Sequence, residues 1–416
     1  MRLLFLILSL AALALHGADT STGIFNDRFK TLEVKVGGNE MSPPVIGMSG
    51  DDYLVISFDE LSDDVSYLRY SLEHCDAMWR SSGLVESEFL EGFNEGEVTD
   101  YAFSDATTVH YVHYRIVLPN EEMRFTVSGN YLLKVYPENN PDEVLLQARF
   151  MVSEGSVAVS ASVSTITDVD YNERNQQVSI TVDAKEVPVH NIYNDLIVTV
   201  TQNGRSDNEV YLTVPQRVSG SKAIYEHLRQ LIFPAGNEYR RFENVSVNFP
   251  SMRIDETVYA APYYHMAVET DYPRAGERYE YDQTQRGRFK VHEYNSADPD
   301  VEADYVMTHF TLEMPRLSGA DVFLDGDFTH RRFNPESLMH YDNYEQAYKA
   351  SALLKQGAYN YQYLVVPSGS ITGTTSVIEG DFYNTTNEYL IKVYLRTPGA
   401  RYDRLVGTTM IITNGN

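Results

Sequence analysis

The sequence predicts an all-β protein that is built from three tandem β-sandwich domains. Apolar residues recur at every second position in many short segments, which is the pattern of half-buried β-strands. Turn-forming residues, such as those from Gly37 to Asn39 and from Ser128 to Asn130, separate these segments. At 416 residues the chain is too long for one small core, because a single domain typically has ~100 to 200 residues.

The first segment, residues 1–18, is predicted to be a secretory signal peptide. It carries one positive charge at Arg2, an apolar stretch from Leu3 to Leu15, and a plausible cleavage position after Gly17 or Ala18. A membrane anchor is the alternative, but the apolar stretch is shorter than the ~20 residues that a spanning helix needs. No cysteine lies near the cleavage position, which excludes a bacterial lipoprotein. We therefore expect an exported mature chain without a membrane span.

Residues 19–153 are predicted to form the N-terminal β-sandwich. Strands and turns alternate along this segment as they do in immunoglobulin-like and fibronectin-like domains of ~100 residues. The alternating apolar positions are Leu32, Val34 and Val36, then Leu54, Ile56 and Phe58, then Tyr114, Ile116 and Leu118, then Tyr131, Leu133 and Val135.

Residues 154–302 are predicted to form a middle β-sandwich, and residues 303–416 a C-terminal one. Short strands resume after Glu154 and Gly155, which indicates the first boundary. In the last segment a strand enters the turn Gly326-Asp327-Phe328, and a later strand places Tyr359, Tyr361 and Tyr363 on one face. This arrangement resembles the early-set sandwich of glycogen-binding and starch-binding modules.

Composition excludes some classes of function. Lys plus Arg number 33 and Asp plus Glu number 59, so the formal net charge is −26. Binding to a nucleic-acid backbone is therefore not expected. The single cysteine, Cys75, cannot form an internal disulfide, and a lone cysteine among apolar neighbours is more often a buried small side chain than a reactive thiol.

The sequence contains no recognisable catalytic or metal-binding pattern, so we expect no catalytic residue, no metal ligand and no cofactor. The chain has no G-x-S-x-G motif and no phosphate-binding glycine loop. His110 and His113 are three residues apart, so they face opposite sides of a strand and do not easily share a metal. The run from Asp168 to Asn172 begins like a calcium loop, but Glu173 and Ser179 stand where glycine and a bidentate glutamate are needed.

Several longer blocks of the sequence resemble one known family. The blocks are HCDAMWRSSGLVESEFLEGFN, HYRIVLPNEEMRFTVSGNYLLKVY, TDVDYNERNQQVSI, VTVTQNGRSDNEV, FPAGNEYRRFE and DPDVEADYVMTHFTL. Together they are similar to the successive signatures of the type 9 secretion system plug proteins of Bacteroidota, over nearly the whole mature chain. The resemblance implies a soluble periplasmic protein that seals the periplasmic mouth of the very large outer-membrane β-barrel translocon. It implies no catalytic residues.

The best candidates for contact with that barrel lie in the first block, from His74 to Asn94. This segment leaves the alternating pattern and mixes large aromatic residues with acids, as protein interfaces often do. The alternative is that its aromatic side chains close the end of the first sandwich core. The predicted contact residues are Trp79, Glu86, Glu88, Phe89, Phe93 and Asn94.

Two other functions compete with a plug. A secreted glycan-binding protein would use the early-set modules, but Arg331 stands where such modules usually carry a tryptophan, and sugar stacking needs a flat exposed ring. A glycoside hydrolase would need two carboxylates close together in the acidic loop. The crowded acids of that loop are Glu86, Glu88, Glu91, Glu95 and Glu97.

Overall fold

The computed structural model describes residues 19–37, 39, 41–249 and 251–413. The predicted signal peptide, residues 1–18, lies outside these residues. Nearly all regular structure is β-strand, so the all-β prediction is confirmed.

The first part of the chain forms two facing sheets around one core. One sheet has the order β1-β12-β11-β5-β7 with β3 beside β12, and the other has the order β2-β4-β9-β8. A small pair, β6 and β10, lies beside them. The elements are β1 (Gly23–Ile24), β2 (Phe29–Val36), β3 (Val45–Gly47), β4 (Leu54–Glu60), β5 (Leu68–Cys75), α1 (Glu86–Phe89), β6 (Leu90–Gly92), β7 (Gly96–Glu97), β8 (Asp100–Phe103), β9 (Val112–Leu118), β10 (Met123–Phe125), β11 (Gly129–Pro137) and β12 (Leu146–Ser153).

The apolar residues predicted from alternation form this first core. Leu54, Ile56 and Phe58 of β4 pack with Tyr131 and Leu133 of β11, and all five side chains are buried. Because successive side chains of a strand point to opposite faces, alternation places every second residue in the core.

The next seven strands begin a second sandwich. β14 pairs with β13, β18 and β19, and β15 pairs with β16 in another sheet. The elements are β13 (Ala158–Ser164), β14 (Asn175–Asp183), β15 (Leu196–Gln202), β16 (Val210–Leu212), β17 (Arg217–Ser219), β18 (Lys222–Tyr225), a 3-10 turn (Arg229–Leu231) and β19 (Ile232–Pro234).

The chain then builds another sandwich before it returns. Its two sheets are β20-β28-β23 with β25 beside β28, and β21-β22-β24-β27-β26. The elements are β20 (Arg240–Glu243), β21 (Ile254–Ala260), β22 (Tyr263–Val268), β23 (Phe289–Val291), α2 (Pro299–Glu302), β24 (Tyr305–Glu313), β25 (Ala320–Asp325), a 3-10 turn (Asp327–Thr329), β26 (His340–Asp342), β27 (Ala347–Lys355) and β28 (Gly357–Pro367).

The last two strands, β29 (Glu388–Leu395) and β30 (Arg404–Ile412), complete the second sandwich. β29 pairs along its length with β15, from Leu196 opposite Leu395 to Gln202 opposite Tyr389. We therefore call residues 19–153 the first sandwich, residues 154–235 with 388–413 the second, and residues 236–387 the third.

The predicted boundary between residues 302 and 303 does not follow this pairing. β21 pairs with β22 and β22 pairs with β24, while β20 and β23 both pair with β28, so strands on both sides of residue 302 share sheets. The third sandwich is thus inserted between two parts of the second. Alternation identifies a strand, but it does not say which strand becomes its neighbour.

Candidate functional site

The predicted contact segment begins with a tight turn at the end of β5. The Asp76 carboxylate accepts the backbone N–H groups of Met78 and Arg80 at 2.9 and 3.0 Å, and the Arg80 side chain bonds to the same carboxylate. Trp79 adopts a positive φ of 61° inside this turn. The turn therefore holds the indole in one direction, towards the second sandwich.

Trp79 and Phe89, two of the predicted contact residues, are buried, so the isolated chain offers almost none of either side chain to a partner. Trp79 is 5% exposed and belongs to an apolar cluster with Tyr394 and Leu405 of the second sandwich. The Arg149 guanidinium covers the indole ring at 4.3 Å. Phe89 lies in the first core. Phe89 therefore packs in the first sandwich core, as the alternative interpretation of the segment has it. Trp79 instead packs at the junction between the first and second sandwiches.

Asn94 and Glu88 both make hydrogen bonds within the chain. The Asn94 amide pairs with the backbone of Leu72, accepting its N–H at 2.8 Å and donating to its carbonyl at 2.9 Å. Glu88 accepts the N–H of Val85 at 2.9 Å and a bond of 2.5 Å from Arg401 of the second sandwich. Both side chains are only partly exposed, so each has limited surface available for contact with a partner.

Phe93 is the exposed aromatic residue of the segment, with 78% of its surface accessible. Its N–H donates to the carbonyl of Glu122 at 3.1 Å, which fixes the loop against β10. Gly92 before it has a φ of +109°, and a Cβ there would overlap the same carbonyl oxygen, so this approach requires glycine. Glu91 and Glu95 beside Phe93 are exposed. The loop thus presents an aromatic ring between carboxylates; we call residues 90–97 the Phe93 loop.

The neighbouring thiol and imidazole are unsuited to nucleophilic catalysis. Cys75 is fully buried, and burial raises the pKa of its thiol to about 12. The two ring nitrogens of His74 lie 2.9 Å from Ser82 Oγ and 3.1 Å from the carbonyl oxygen of Ser128. Burial lowers the pKa of His74. The interpretation of Cys75 as a buried apolar side chain is confirmed.

The features that suggested glycan binding are internal. Arg331 is 8% exposed, and it donates to Asp327 at 2.8 Å, to the Tyr239 hydroxyl at 3.0 Å and to the Arg286 carbonyl at 2.8 Å. The tyrosines of β28 share one face as predicted, but that face is core; they are Tyr359, Tyr361 and Tyr363. A buried ring cannot stack on a sugar in solution.

The two closely spaced histidines, which were considered as metal ligands, each pair with an aspartate of the same chain. His110 lies 2.7 Å from Asp63 at the surface, and His113 lies 2.7 Å from the buried Asp59. Within the described parts of the chain, no cluster of three or more His, Cys, Asp or Glu side chains could hold a metal ion. The described residues also include no helix long and apolar enough to cross a membrane.

Buried ionic groups join the first and third sandwiches, and no sequence pattern predicted them. Lys355 Nζ lies 2.6 Å from Asp59 Oδ2, and the Tyr305 hydroxyl donates to the same oxygen at 2.6 Å. Asp304 accepts the N–H groups of Thr108 and Val109 at 2.7 and 2.9 Å. In the sequence Asp59 follows the alternating residues Leu54, Ile56 and Phe58 at an outward position of the predicted strand, where a solvated side chain is the ordinary interpretation.

A second ionic network lies inside the third sandwich. Arg240 bonds to Asp271 at 2.6 Å and to Glu379 at 3.1 Å, and Arg274 bonds to Glu379 at 2.6 Å. Burial opposes ionisation of Glu379, but the two guanidinium groups hold its pKa at about 2. Asp271 also accepts the hydroxyl protons of the buried tyrosines Tyr361 and Tyr363, each at 2.7 Å.

We expect acid to remove part of the stability that Glu379 contributes. Because its pKa is lower in the folded chain than the ordinary 4.5, this contribution is present above pH 4.5 and is lost as the pH falls towards 2. The shift corresponds to roughly 3 kcal/mol. Denaturant unfolding at neutral pH and at pH about 3 should show Glu379→Gln less stable than wild type at neutral pH, with a smaller loss on acidification. Glu345→Gln, at an exposed ion pair, is the control and should leave the pH profile unchanged.

The fold and its junctions define a class of all-β protein with three cores, which are joined by buried polar contacts and by an apolar cluster. The model of the family described as "Type 9 secretion system plug protein 1st domain" matches residues 29–154. A crystal structure of a hypothetical protein from Parabacteroides merdae superposes with a TM-score of 0.94, at 42% identity over 95% of this chain and 99% of that chain. The chain belongs to the type 9 secretion system plug protein family.

The other comparisons add no function. The Pseudomonas fluorescens DNA glycosylase AlkC bound to DNA has a TM-score of 0.18 at 12% identity, over 30% of each chain. No curated protein matches this chain. The family of the first sandwich implies a structural role rather than a catalytic one.

Proposed function

We propose that this protein is a periplasmic plug that docks on and seals the periplasmic opening of the large outer-membrane β-barrel translocon of the type 9 secretion system. The observation that carries the proposal is the match of residues 29–154 to the first domain of plug proteins. The role requires no catalysis, no metal and no cofactor. Residues 1–18 act in this proposal as the signal peptide that directs the chain to the periplasm.

The junctions between the sandwiches support a stopper that keeps its shape. The first and second sandwiches share an apolar cluster that includes Trp79, and the Tyr394 hydroxyl donates to Asn130 at 2.8 Å across the same junction. The second and third are joined by Glu388, which pairs with Arg288 at 2.7 Å and Arg286 at 3.2 Å. With the Asp59 to Lys355 pair between first and third, every pair of sandwiches is tied, so relative motion of the parts is opposed.

Charge and surface chemistry favour a basic partner. A net charge of −26 would steer the chain towards a positively charged rim, which speeds docking more than it tightens binding. We assign the first contact to the Phe93 loop with the neighbouring acids Glu86 and Glu88, and to Asn94 as the residue that anchors the loop. An exposed aromatic ring that enters an apolar pocket is the usual centre of such an interface.

Phe93→Ala is expected to weaken binding to the purified barrel about 30-fold, because loss of an interface aromatic typically costs about 2 kcal/mol or more. Surface plasmon resonance with immobilised barrel measures this affinity. Tyr344→Ala removes a similarly exposed ring from the turn between β26 and β27, and it should bind like wild type. Equal affinity of the Phe93 variant and the control would remove the Phe93 loop from the interface.

Sealing itself requires a separate experiment. Cells that lack the protein should admit bulky solutes, such as a large antibiotic, while the translocon carries no cargo. Affinity purification from the cell envelope after mild crosslinking should recover the barrel with the tagged chain. Recovery without a giant outer-membrane barrel, or unchanged leakage after deletion, would contradict the proposal.

A further inference from the structure

Most sheet edges of this protein are protected against pairing with another chain. An edge strand exposes unpaired N–H and C=O groups, and proteins usually shorten, bend or charge such strands. Here β7, β8, β17 and β26 have two to four residues, and the register of β2 and of β21 is interrupted by an irregularity.

β13 is a long edge strand without these protections. It pairs with β14 over seven consecutive residues, from Ala158 opposite Asp183 to Ser164 opposite Gln177, with no break in register. β14 is its one neighbour in the sheet. Throughout residues 19–37, 39, 41–249 and 251–413, no hydrogen bond reaches the backbone of residues 158–163 from outside the β13–β14 pair. Half of its backbone groups therefore face outwards.

The composition of β13 is as unusual as its length. Its sequence, AVSASVS, contains no charge, proline or glycine. Val159, Ala161 and Val163 pack against the second core, while Ser160 and Ser162 point outwards and are exposed. An inner row of apolar groups and an outer row of hydroxyls suit continuation of the sheet by one more strand of the same kind.

The two chain segments that form and border the edge are also uncharged. The N–H groups of Ser156 and Val157 bond to the Val406 carbonyl of β30 at 2.7 and 3.1 Å, so β30 lies against the start of β13. Residues 156–167 and 405–416 contain no Asp, Glu, Lys or Arg. Exposed apolar side chains border this region in β30 and in the turn after β13: Ile166, Val169, Met410 and Ile412.

We propose that the mature chain forms a dimer in which β13 pairs antiparallel with β13 of a second copy. The segment from Val159 to Val163 reads VSASV in both directions, so a twofold axis at Ala161 places valine opposite valine and serine opposite serine. The absence of charged residues on β13 also favours a second copy of the chain as the partner. Two strongly acidic chains repel each other, and the repulsion is weakest where neither carries an ionised group. This inference does not rest on the plug function.

Association should be modest, because one strand pair buries less surface than a standard interface. Sedimentation equilibrium of residues 19–416 should show a monomer–dimer equilibrium with a dissociation constant of ~10 μM. A chain that stays monomeric up to ~100 μM would overturn the proposal.

A charge exchange tests the register. In the proposed pairing Ser160 of one copy faces Ser162 of the other. The variant S160K/S162K therefore places lysine opposite lysine twice and should be monomeric, whereas S160E/S162K places glutamate opposite lysine and should dimerise at least as well as wild type. Both serines are exposed, and circular dichroism checks that both variants fold. Equal dimerisation of the two variants would exclude this register and with it the proposed interface.

Discussion

Replacing Lys355 by methionine is expected to lower the free energy of unfolding by roughly 3 to 5 kcal/mol, the usual cost of leaving a buried charge without its partner. Lys355 is 1% exposed and Asp59 is 0% exposed. Lys355 also donates to the Asp300 carbonyl at 2.6 Å and lies 4.2 Å from the Tyr111 ring centre. Without the ammonium group, Asp59 keeps its neighbours Tyr305 and His113, but the carboxylate loses its ion pair with Lys355.

Lys349→Met provides a matched control in the same strand. Lys349 is more than one-third exposed and pairs with Glu345 at 2.6 Å. A surface ion pair of this kind contributes about 1 kcal/mol or less. Guanidinium unfolding followed by circular dichroism compares the two variants at neutral pH. If both variants lose the same small amount, the Asp59 to Lys355 pair does not hold the first and third sandwiches together.

The pH dependence of the stability that the Lys355 variant loses provides a second measurement. Burial opposes ionisation of Asp59, but Lys355 and then His113 lower its pKa below the ordinary 3.8. The stabilisation is therefore present above pH 3.8 and is lost as the pH falls below that value. The difference in the free energy of unfolding between wild type and the Lys355 variant should become smaller in acid. The free energy of unfolding of the Lys349 variant should have the same pH dependence as that of wild type.

Trp79→Ala is expected to cost about 3 to 5 kcal/mol, the range for removal of a large aromatic side chain from a core. The indole fills the apolar cluster between the first and second sandwiches, and the alanine variant also leaves the Arg149 guanidinium without the ring that it covers. Because the cluster joins two sandwiches, the variant should also become sensitive to proteolysis at lower denaturant concentration.

Trp79→Phe distinguishes packing from any surface role of the residue. Phenylalanine keeps a ring in the cluster, so it should recover more than half of the lost stability. Under the proposed function, both variants should still bind the translocon in conditions in which they are folded, since the indole is buried. A folded Trp79→Phe chain that fails to bind would return Trp79 to the interface, as the sequence predicted.

Much of the local structure could be predicted from residue alternation. The half-buried strands of the first sandwich follow from residues such as Leu54, Ile56 and Phe58, and the shared face of Tyr359, Tyr361 and Tyr363 follows from their spacing. The burial of Cys75 could also be predicted, because a free cysteine is among the residue types that are most often buried.

The candidate site could be predicted only in part. The sequence indicates that the segment from His74 to Asn94 leaves the alternating pattern. Its composition, however, is the same for a residue that contacts a partner and for one that packs against another sandwich. Phe93 is exposed because Gly92 and the Glu122 carbonyl turn the chain outwards. Trp79 is buried because a distant segment, with Tyr394 and Leu405, covers it.

The sequence by itself determined the all-β class, the positions of many strands and the family to which the chain belongs. The tertiary structure alone decided that β15 pairs with β29, that the third sandwich lies inside the second, and that Asp59 meets Lys355. The physical reason is that alternation and turn chemistry act between neighbouring residues, whereas these contacts join residues far apart in the chain. Their formation depends on how whole surfaces fit, and no local pattern records that.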